Sequence, residues 1–162
     1  VGLPFMVKTN FGNDVRVLSW FFSVAVLGAM FAALCLGNVT KFRRCGWISY
    51  TALIVMGVMF LVLGLPLNLP FLLFASFVMV ASTNMFNLIW YNTLQEIVPH
   101  DLLGRVSAID YLGSFVFMPI GFGLAGWAID LVGVTTVFII GGALTVFFSA
   151  LGLLHPVIRN LD

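Results

Sequence analysis

Charged side chains are scarce in this sequence. Lys, Arg, Asp and Glu make up 8% of its 162 residues, whereas hydrophobic residues make up 62%. A soluble domain needs charge at roughly a quarter of its positions to keep its surface in water. The formal net charge of +1 also argues against a partner nucleic acid, because phosphate recognition needs clustered Lys and Arg. The composition therefore predicts an integral membrane protein whose first partner is the lipid bilayer.

The sequence also lacks the motifs of common catalytic and metal centres. Its two cysteines, Cys35 and Cys45, have no nearby His, so we expect neither a metal site nor a structural disulfide. HExxH zinc motifs and GxSxG nucleophile turns are missing. An intramembrane enzyme with Asp110 and Asp130 as an acid pair is disfavoured, because a whole membrane crossing separates them. We expect no cofactor and no enzyme activity.

Long uncharged runs divide the chain into segments that can cross a bilayer. A helix over residues 17–37 would rise roughly 31 Å, about the thickness of the hydrocarbon core. The uncharged run over residues 45–95 is long enough for two helices, and the prolines of LPLNLP divide it. Continuous apolar runs favour helices over a barrel, whose strands would alternate apolar and polar residues. The expected crossings are about residues 17–37, 46–65, 69–95, 102–129 and 131–154, with a turn at Asp130 before the last.

The amino-terminal segment VGLPFMVK is apolar but has no signal-peptide pattern. We interpret residues 1–8 as the end of a sixth helix, and the chain as a fragment of a longer protein. The predicted fold is an all-α polytopic membrane helix bundle of about five transmembrane helices plus the end of a sixth.

Basic residues are distributed unequally between the two faces of this bundle. Lys8 and Arg16 fall on one face and five basic residues on the other. The positive-inside rule makes the richer face cytoplasmic, and the carboxyl terminus lies on that face. The five residues are Lys41, Arg43, Arg44, Arg105 and Arg159.

Small residues predict where helices approach each other closely. In the first span, Gly28 and Ala32 are four residues apart, as are Ala29 and Ala33, which places small side chains along a helix face. The fourth span has a similar set around Pro119. Both spans are therefore expected to pack tightly, although such patterns are frequent in ordinary membrane bundles. The set in the fourth span is Pro119, Gly121, Gly123, Ala125 and Gly126.

Polar residues within the spans are the candidates for function, because hydrocarbon tolerates them only when they are paired or line water. Asn84, Asn87 and Tyr91 are three and four residues apart, so they share one face of the third span. That face either forms hydrogen bonds between helices or lines a substrate cavity. Trp90 is typical of an interfacial aromatic belt.

Asp110 is the ionisable group deepest in a span, about two helical turns beyond Asp101. An isolated carboxylate there is costly, so Asp110 either exchanges protons during transport or pairs with a group such as Arg105. Asp101 and Arg105 are four residues apart, which favours an ion pair on one helix. Either His100 or Asp101 can also cap that helix.

The segment PHDLLGRV, followed by an apolar helix with PIGFGLAGWAID and then LVG, resembles the carboxyl-terminal half of a major facilitator superfamily transporter. It is most similar to the drug and siderophore exporters, whose cytoplasmic loop reads proline, acidic residues, leucine, then basic-Gly-Arg-Val. Val106 completes the match, whereas His100 and Leu103 depart from it. The other matching positions of this cytoplasmic loop motif are Pro99, Asp101, Gly104 and Arg105.

The resemblance implies that residues 1–8 end helix 7 and that the five spans are helices 8 to 12. In this superfamily, helices 7, 8, 10 and 11 line the carboxyl half of a central cavity. This makes the polar residues of the third and fourth spans substrate-cavity candidates: Asn84, Asn87, Tyr91 and Asp110. The segment with Lys41, Arg43 and Arg44 resembles the basic cytoplasmic loop of the superfamily without its aspartate.

The function implied is secondary active efflux of a small amphipathic compound by alternating access, with protons as the candidate coupling ion. Such a chain works only with its missing amino-terminal half, in the plasma (inner) membrane of a bacterium. The alternative is a subunit of a small oligomeric channel or multidrug protein, which would also be rich in small residues.

Overall fold

Six α-helices and no strand make up the described part of the chain. The computed structural model describes residues 2–12, 14–37 and 45–154. Five of the helices, α2 to α6, are long and apolar enough to cross a membrane, so the predicted all-α membrane fold is confirmed. The helices are α1 (Gly2–Phe11), α2 (Val15–Leu36), α3 (Cys45–Leu63), α4 (Leu69–Ile97), α5 (His100–Val132) and α6 (Val134–Leu154).

Local sequence explains where several helices begin. Asp14 caps α2, because its carboxylate accepts a hydrogen bond from the backbone N–H of Arg16 at 2.9 Å. In α4, Pro70 lies in the first turn, where its missing N–H costs nothing. Pro99 precedes α5 without a side-chain cap. The expectation that His100 or Asp101 caps this helix is therefore wrong, because both residues are already helical.

The turn before the last helix lies at Gly133 and not at Asp130, which corrects the sequence prediction. Helix α5 continues through Asp130 to Val132, and Gly133 then adopts a φ of 84°. Glycine enters this left-handed region without the steric cost that a Cβ imposes. Asp130 instead lies exposed in the last turn of α5.

Helix α3 is at the centre of the bundle, with α4 and α6 packed against it and α2 packed against α4. A buried cluster joins α1, α2, α3, α4 and α6, with Phe21, Leu72 and Phe138 among its largest side chains. By contrast, α5 is mostly exposed, and only 6% of the residues in its most apolar stretch are buried. Exposed apolar residues suit a membrane protein, because lipid tails solvate them.

Glycines bring two pairs of helices close together. A Cβ at Gly28 of α2 would lie 2.5 Å from the backbone oxygen of Phe77 in α4. Similarly, a Cβ at Gly142 of α6 would lie 2.8 Å from the backbone oxygen of Gly57 in α3. Gly28 and Ala32 are both buried, which confirms the tight packing predicted for the first span.

The tight packing predicted for the fourth span is wrong for the described residues. A Cβ placed at Gly121, Gly123 or Gly126 of α5 would meet nothing within 4 Å. Within α5, Ile129 is the one buried residue. The small residues of α5 therefore form an open face towards lipid or towards protein outside the described residues.

Candidate functional site

Polar residues of α4 and α5 meet around a cavity of about 280 Å³. Asn87 and Tyr91 are four residues apart on α4, and Asp110 and Ser114 are four apart on α5, so each pair projects from one helix face. The cavity lies in the second half of α4 and the first half of α5, near the short link between them. Its lining residues are Phe86, Asn87, Trp90, Tyr91, Asp110 and Ser114.

The half-buried carboxylate of Asp110 faces α4. The indole Nε1 of Trp90 donates a hydrogen bond to its Oδ2 at 3.4 Å, which is long for such a bond. The interfacial-belt interpretation of Trp90 stays a prediction, and the structure adds a contact of its N–H with a carboxylate on the neighbouring helix. This contact joins two helices that otherwise touch at few points.

Neither ion pair considered from the sequence forms among the described residues. Asp110 does not pair with Arg105, because five residues of helix place the two about 140° apart around the axis. Asp101 and Arg105 have the spacing for a pair but are both exposed and unpaired. Exposed pairs contribute little, because solvent screens them and ordering two long side chains costs entropy.

Aromatic rings extend the contact between α4 and α5. The rings of Tyr91 and Tyr111 are 6.1 Å apart and 24° from parallel, and Tyr111 is 6.0 Å from Phe115. On α4, Phe86 and Trp90 lie 6.5 Å apart and 12° from parallel. Sequence reasoning missed Phe86, Tyr111 and Phe115. The available signal was a spacing of four residues, which places Phe86 on the same helix face as Trp90 and Tyr111 on the same face as Phe115.

Asn84 does not reach the cavity. Its side-chain amide donates a hydrogen bond to the backbone oxygen of Val80 at 2.9 Å, so the amide is turned back onto its own helix. Of the four cavity candidates, the structure therefore brings Asn87, Tyr91 and Asp110 together and leaves Asn84 apart.

A second cavity, of about 300 Å³, lies between α3 and α4. Phe86 and Trp90 line both cavities, so the two spaces adjoin at these side chains. The lining is mostly apolar and includes the hydroxyl-bearing residues Ser49, Tyr50 and Thr93. The residues found here alone are Cys45, Gly46, Ser49, Tyr50, Leu53 and Thr93.

The cytoplasmic loop motif is compact. The backbone oxygen of Pro99 accepts hydrogen bonds from the N–H groups of Leu102 and Leu103 at 2.9 and 3.0 Å, which starts α5 directly after the proline. Asp101, Gly104 and Arg105 lie exposed in the first turns of α5, so most of the motif is helical. The basic cytoplasmic loop with Lys41, Arg43 and Arg44 lies outside the described residues.

The family assignment rests on the whole chain. The sequence profile of the Major Facilitator Superfamily (MFS) matches residues 1–159. The chain belongs to this superfamily. It is 28% identical over 148 residues to an uncharacterized MFS-type transporter, YvqJ, of Bacillus subtilis (strain 168), a match that covers 91% of the chain. The chain spans 35% of the length of that relative. No solved structure matches the chain significantly.

Membership of the MFS makes the protein an integral membrane protein of a transporter family, in agreement with its five candidate spans. The narrower resemblance to drug and siderophore exporters stays a prediction. Within the MFS chain, the α4–α5 cavity is the place where carboxylate, amide, hydroxyl and aromatic groups converge.

Proposed function

We propose that this MFS chain is the carboxyl-terminal half of a secondary transporter that exports a small amphipathic compound by alternating access. The observation that carries the proposal is the α4–α5 cavity, where Asn87, Tyr91 and Asp110 meet within two candidate spans. Polar groups at this depth belong where they are paired or line water. In alternating access, two halves rock about a central site and expose it to one side at a time.

The groups around the cavity favour an amphipathic compound over a sugar or a phosphate. Three aromatic rings, one of them the phenol of Tyr91, stand beside one amide, one serine hydroxyl and one carboxylate. A sugar would need more hydrogen-bonding groups, and a phosphate would need cations that this lining does not contain. Asp110 is the group that we propose for proton coupling.

The missing amino-terminal half is part of the proposal. The chain spans 35% of its relative, and most of α5 is exposed although it carries a cavity-lining carboxylate. A half-transporter leaves such a face open, because the other half covers it only in the complete protein.

Reconstitution of the full-length protein into lipid vesicles tests the function. We expect fluorescent amphipathic compounds to accumulate against their gradient when a pH gradient is imposed, and to equilibrate when a protonophore collapses it. Vesicles without protein are the control. Equal rates in both kinds of vesicle, for every compound of a chemically varied panel, would contradict the proposal.

Two asparagines of α4 form a matched pair for testing the cavity. Asn87→Ala should raise the KM for transport about fivefold, because it removes a hydrogen-bonding group worth roughly 1 kcal/mol from the lining. Asn84→Ala should change KM less than twofold, because that amide is already bonded to Val80. Initial rates in vesicles give both values. Equal effects would show that Asn87 has no special place in substrate binding.

Orientation gives a separate prediction. In a background without Cys35 and Cys45, Leu67→Cys and His100→Cys place single thiols at exposed positions near opposite ends of α4. A membrane-impermeant maleimide should label position 100 from the cytoplasmic side and position 67 from outside, because Arg105 lies near position 100. The reverse pattern in intact cells would overturn the proposed cytoplasmic carboxyl terminus.

A further inference from the structure

We propose that the α4–α5 cavity binds an organic cation, with Asp110 supplying the opposite charge and the rings of Trp90 and Tyr91 supplying cation–π contacts. The inference rests on the proposed function, because the cation is then the exported compound. It adds a substrate class and assigns Trp90 a direct role in binding.

The first step is the charge of the cavity. The carboxylate of Asp110 accepts one long hydrogen bond, from Trp90, and no Lys, Arg or His among the described residues forms an ion pair with it. A carboxylate has about four lone-pair sites, so most of its accepting capacity is open. A half-buried charge gains from a partner of opposite sign. A cation therefore completes this site, whereas an anion would be repelled.

The second step is the set of rings beside the carboxylate. Phe86, Trp90 and Tyr91 all line the cavity, and Tyr111 stacks behind Tyr91. Ring faces carry partial negative charge and attract a cation that lies within about 6 Å, with Trp the strongest of the three types. Several rings around one carboxylate form the kind of cage that recognises quaternary ammonium groups.

The third step is size and shape. A volume of about 280 Å³ holds a compact head group but lies below the usual range for a whole drug-sized ligand, roughly 300–1,000 Å³. The second cavity, of about 300 Å³, adjoins it at Phe86 and Trp90 and is mostly apolar. The arrangement fits an ammonium group beside Asp110 with an apolar tail that passes Trp90.

Binding of benzyltrimethylammonium to the purified full-length protein tests the site. A scintillation proximity assay with the radiolabelled compound should show saturable binding that Asp110→Asn weakens at least tenfold and Trp90→Leu several-fold. Asp110→Glu should retain binding because it keeps the charge. Neopentylbenzene, which has the same shape with carbon in place of the charged nitrogen, should compete at least tenfold less well than the unlabelled cation.

Matched controls use an Asp and a Trp of α5 that lie away from both cavities. Asp130→Asn and Trp127→Leu alter an exposed carboxylate and an exposed indole that line neither cavity, so both should bind like the wild type. Size-exclusion chromatography confirms that each variant is folded. Absence of saturable binding, equal competition by the neutral analogue, or full binding by Asp110→Asn would each overturn the cation site.

The two proposals fail in different ways. Transport of a neutral or anionic compound without benzyltrimethylammonium binding would remove the cation site and leave the transporter. Binding of benzyltrimethylammonium that depends on Asp110, without transport of any compound in vesicles, would retain the site and remove the exporter.

Discussion

Gly28→Leu is expected to lower the melting temperature of the detergent-solubilised protein by roughly 6–12 °C. A Cβ at Gly28 would lie 2.5 Å from the backbone oxygen of Phe77 and 3.3 Å from the nitrogen of Ala81. These are backbone atoms of α4, so a side chain fits only if the two helices move apart. Overpacking of this kind costs on the order of 3 kcal/mol, and each kcal/mol shifts the transition of a chain this size by about 2–4 °C.

The control for this change is Ala33→Leu on the same helix. Ala33 is exposed, whereas Gly28 and Ala32 are buried, so the same leucine side chain at position 33 meets no backbone of α4. Its melting temperature should stay within about 2 °C of the wild type, in line with the small effects of most surface substitutions. Thermal unfolding followed by fluorescence-detected size-exclusion chromatography measures both. An equal loss in the two variants would show that the close approach at Gly28 is not what holds α2 against α4.

The small-residue patterns show what the sequence can and cannot predict about packing. Spacing of three or four places small residues on one helix face, and in α2 that face packs against α4. The same reasoning failed for Gly121, Gly123 and Gly126, which have open space around them. Spacing determines that a helix can be approached closely. Whether another helix occupies the face depends on the tertiary arrangement, which periodicity within one helix does not contain.

Helix ends were predictable to the extent that backbone chemistry is local. The division between α3 and α4 followed from the prolines at positions 66 and 70, and the fold class followed from the uncharged runs. The error at Asp130 came from treating a charge as a turn signal. A carboxylate near a helix end does not interrupt the helix. The turn between α5 and α6 instead needs a residue with positive φ, and Gly133 supplies it.

The candidate site was predictable one helix at a time. The period of 3.6 residues placed Asn87 and Tyr91 on one face of α4, and the cost of a buried charge drew attention to Asp110. Their meeting across two helices depends on how each helix is rotated about its axis, which the sequence of either one does not fix. The contact between Trp90 and Asp110 was not predicted for the same reason, because a Trp at the membrane interface and a Trp that bonds a carboxylate on another helix have the same sequence signature.

If Asp110 is the proposed proton-coupling group, the contact between its carboxylate and Trp90 would link a pH gradient to the arrangement of α4 and α5. The charged carboxylate accepts the N–H of Trp90, and bonds to a charged acceptor are roughly twice as strong as neutral ones. Proton uptake removes that charge and weakens a contact between helices that otherwise touch at few points. Trp90 and Tyr91 of α4 and Ser114 of α5 face the same cavity, and none of them replaces the lost charge. On the proposed coupling, proton uptake would therefore favour separation of the two helices.

Asp110→Asn in the full-length protein should abolish accumulation driven by a pH gradient and spare exchange down a concentration gradient. The amide keeps the size of the carboxyl group and can still accept the N–H of Trp90, but it cannot take up a proton. At substrate concentrations that saturate the variant, we expect the accumulation ratio in vesicles to fall at least tenfold, while exchange of labelled for unlabelled substrate stays within about threefold of the wild type.

Asp130→Asn is the matched control, because its carboxylate lies exposed near the other end of α5, and it should behave as the wild type. Undiminished accumulation by Asp110→Asn would assign proton coupling to another residue, and a parallel loss of exchange would make Asp110 a substrate ligand that plays no separate part in coupling.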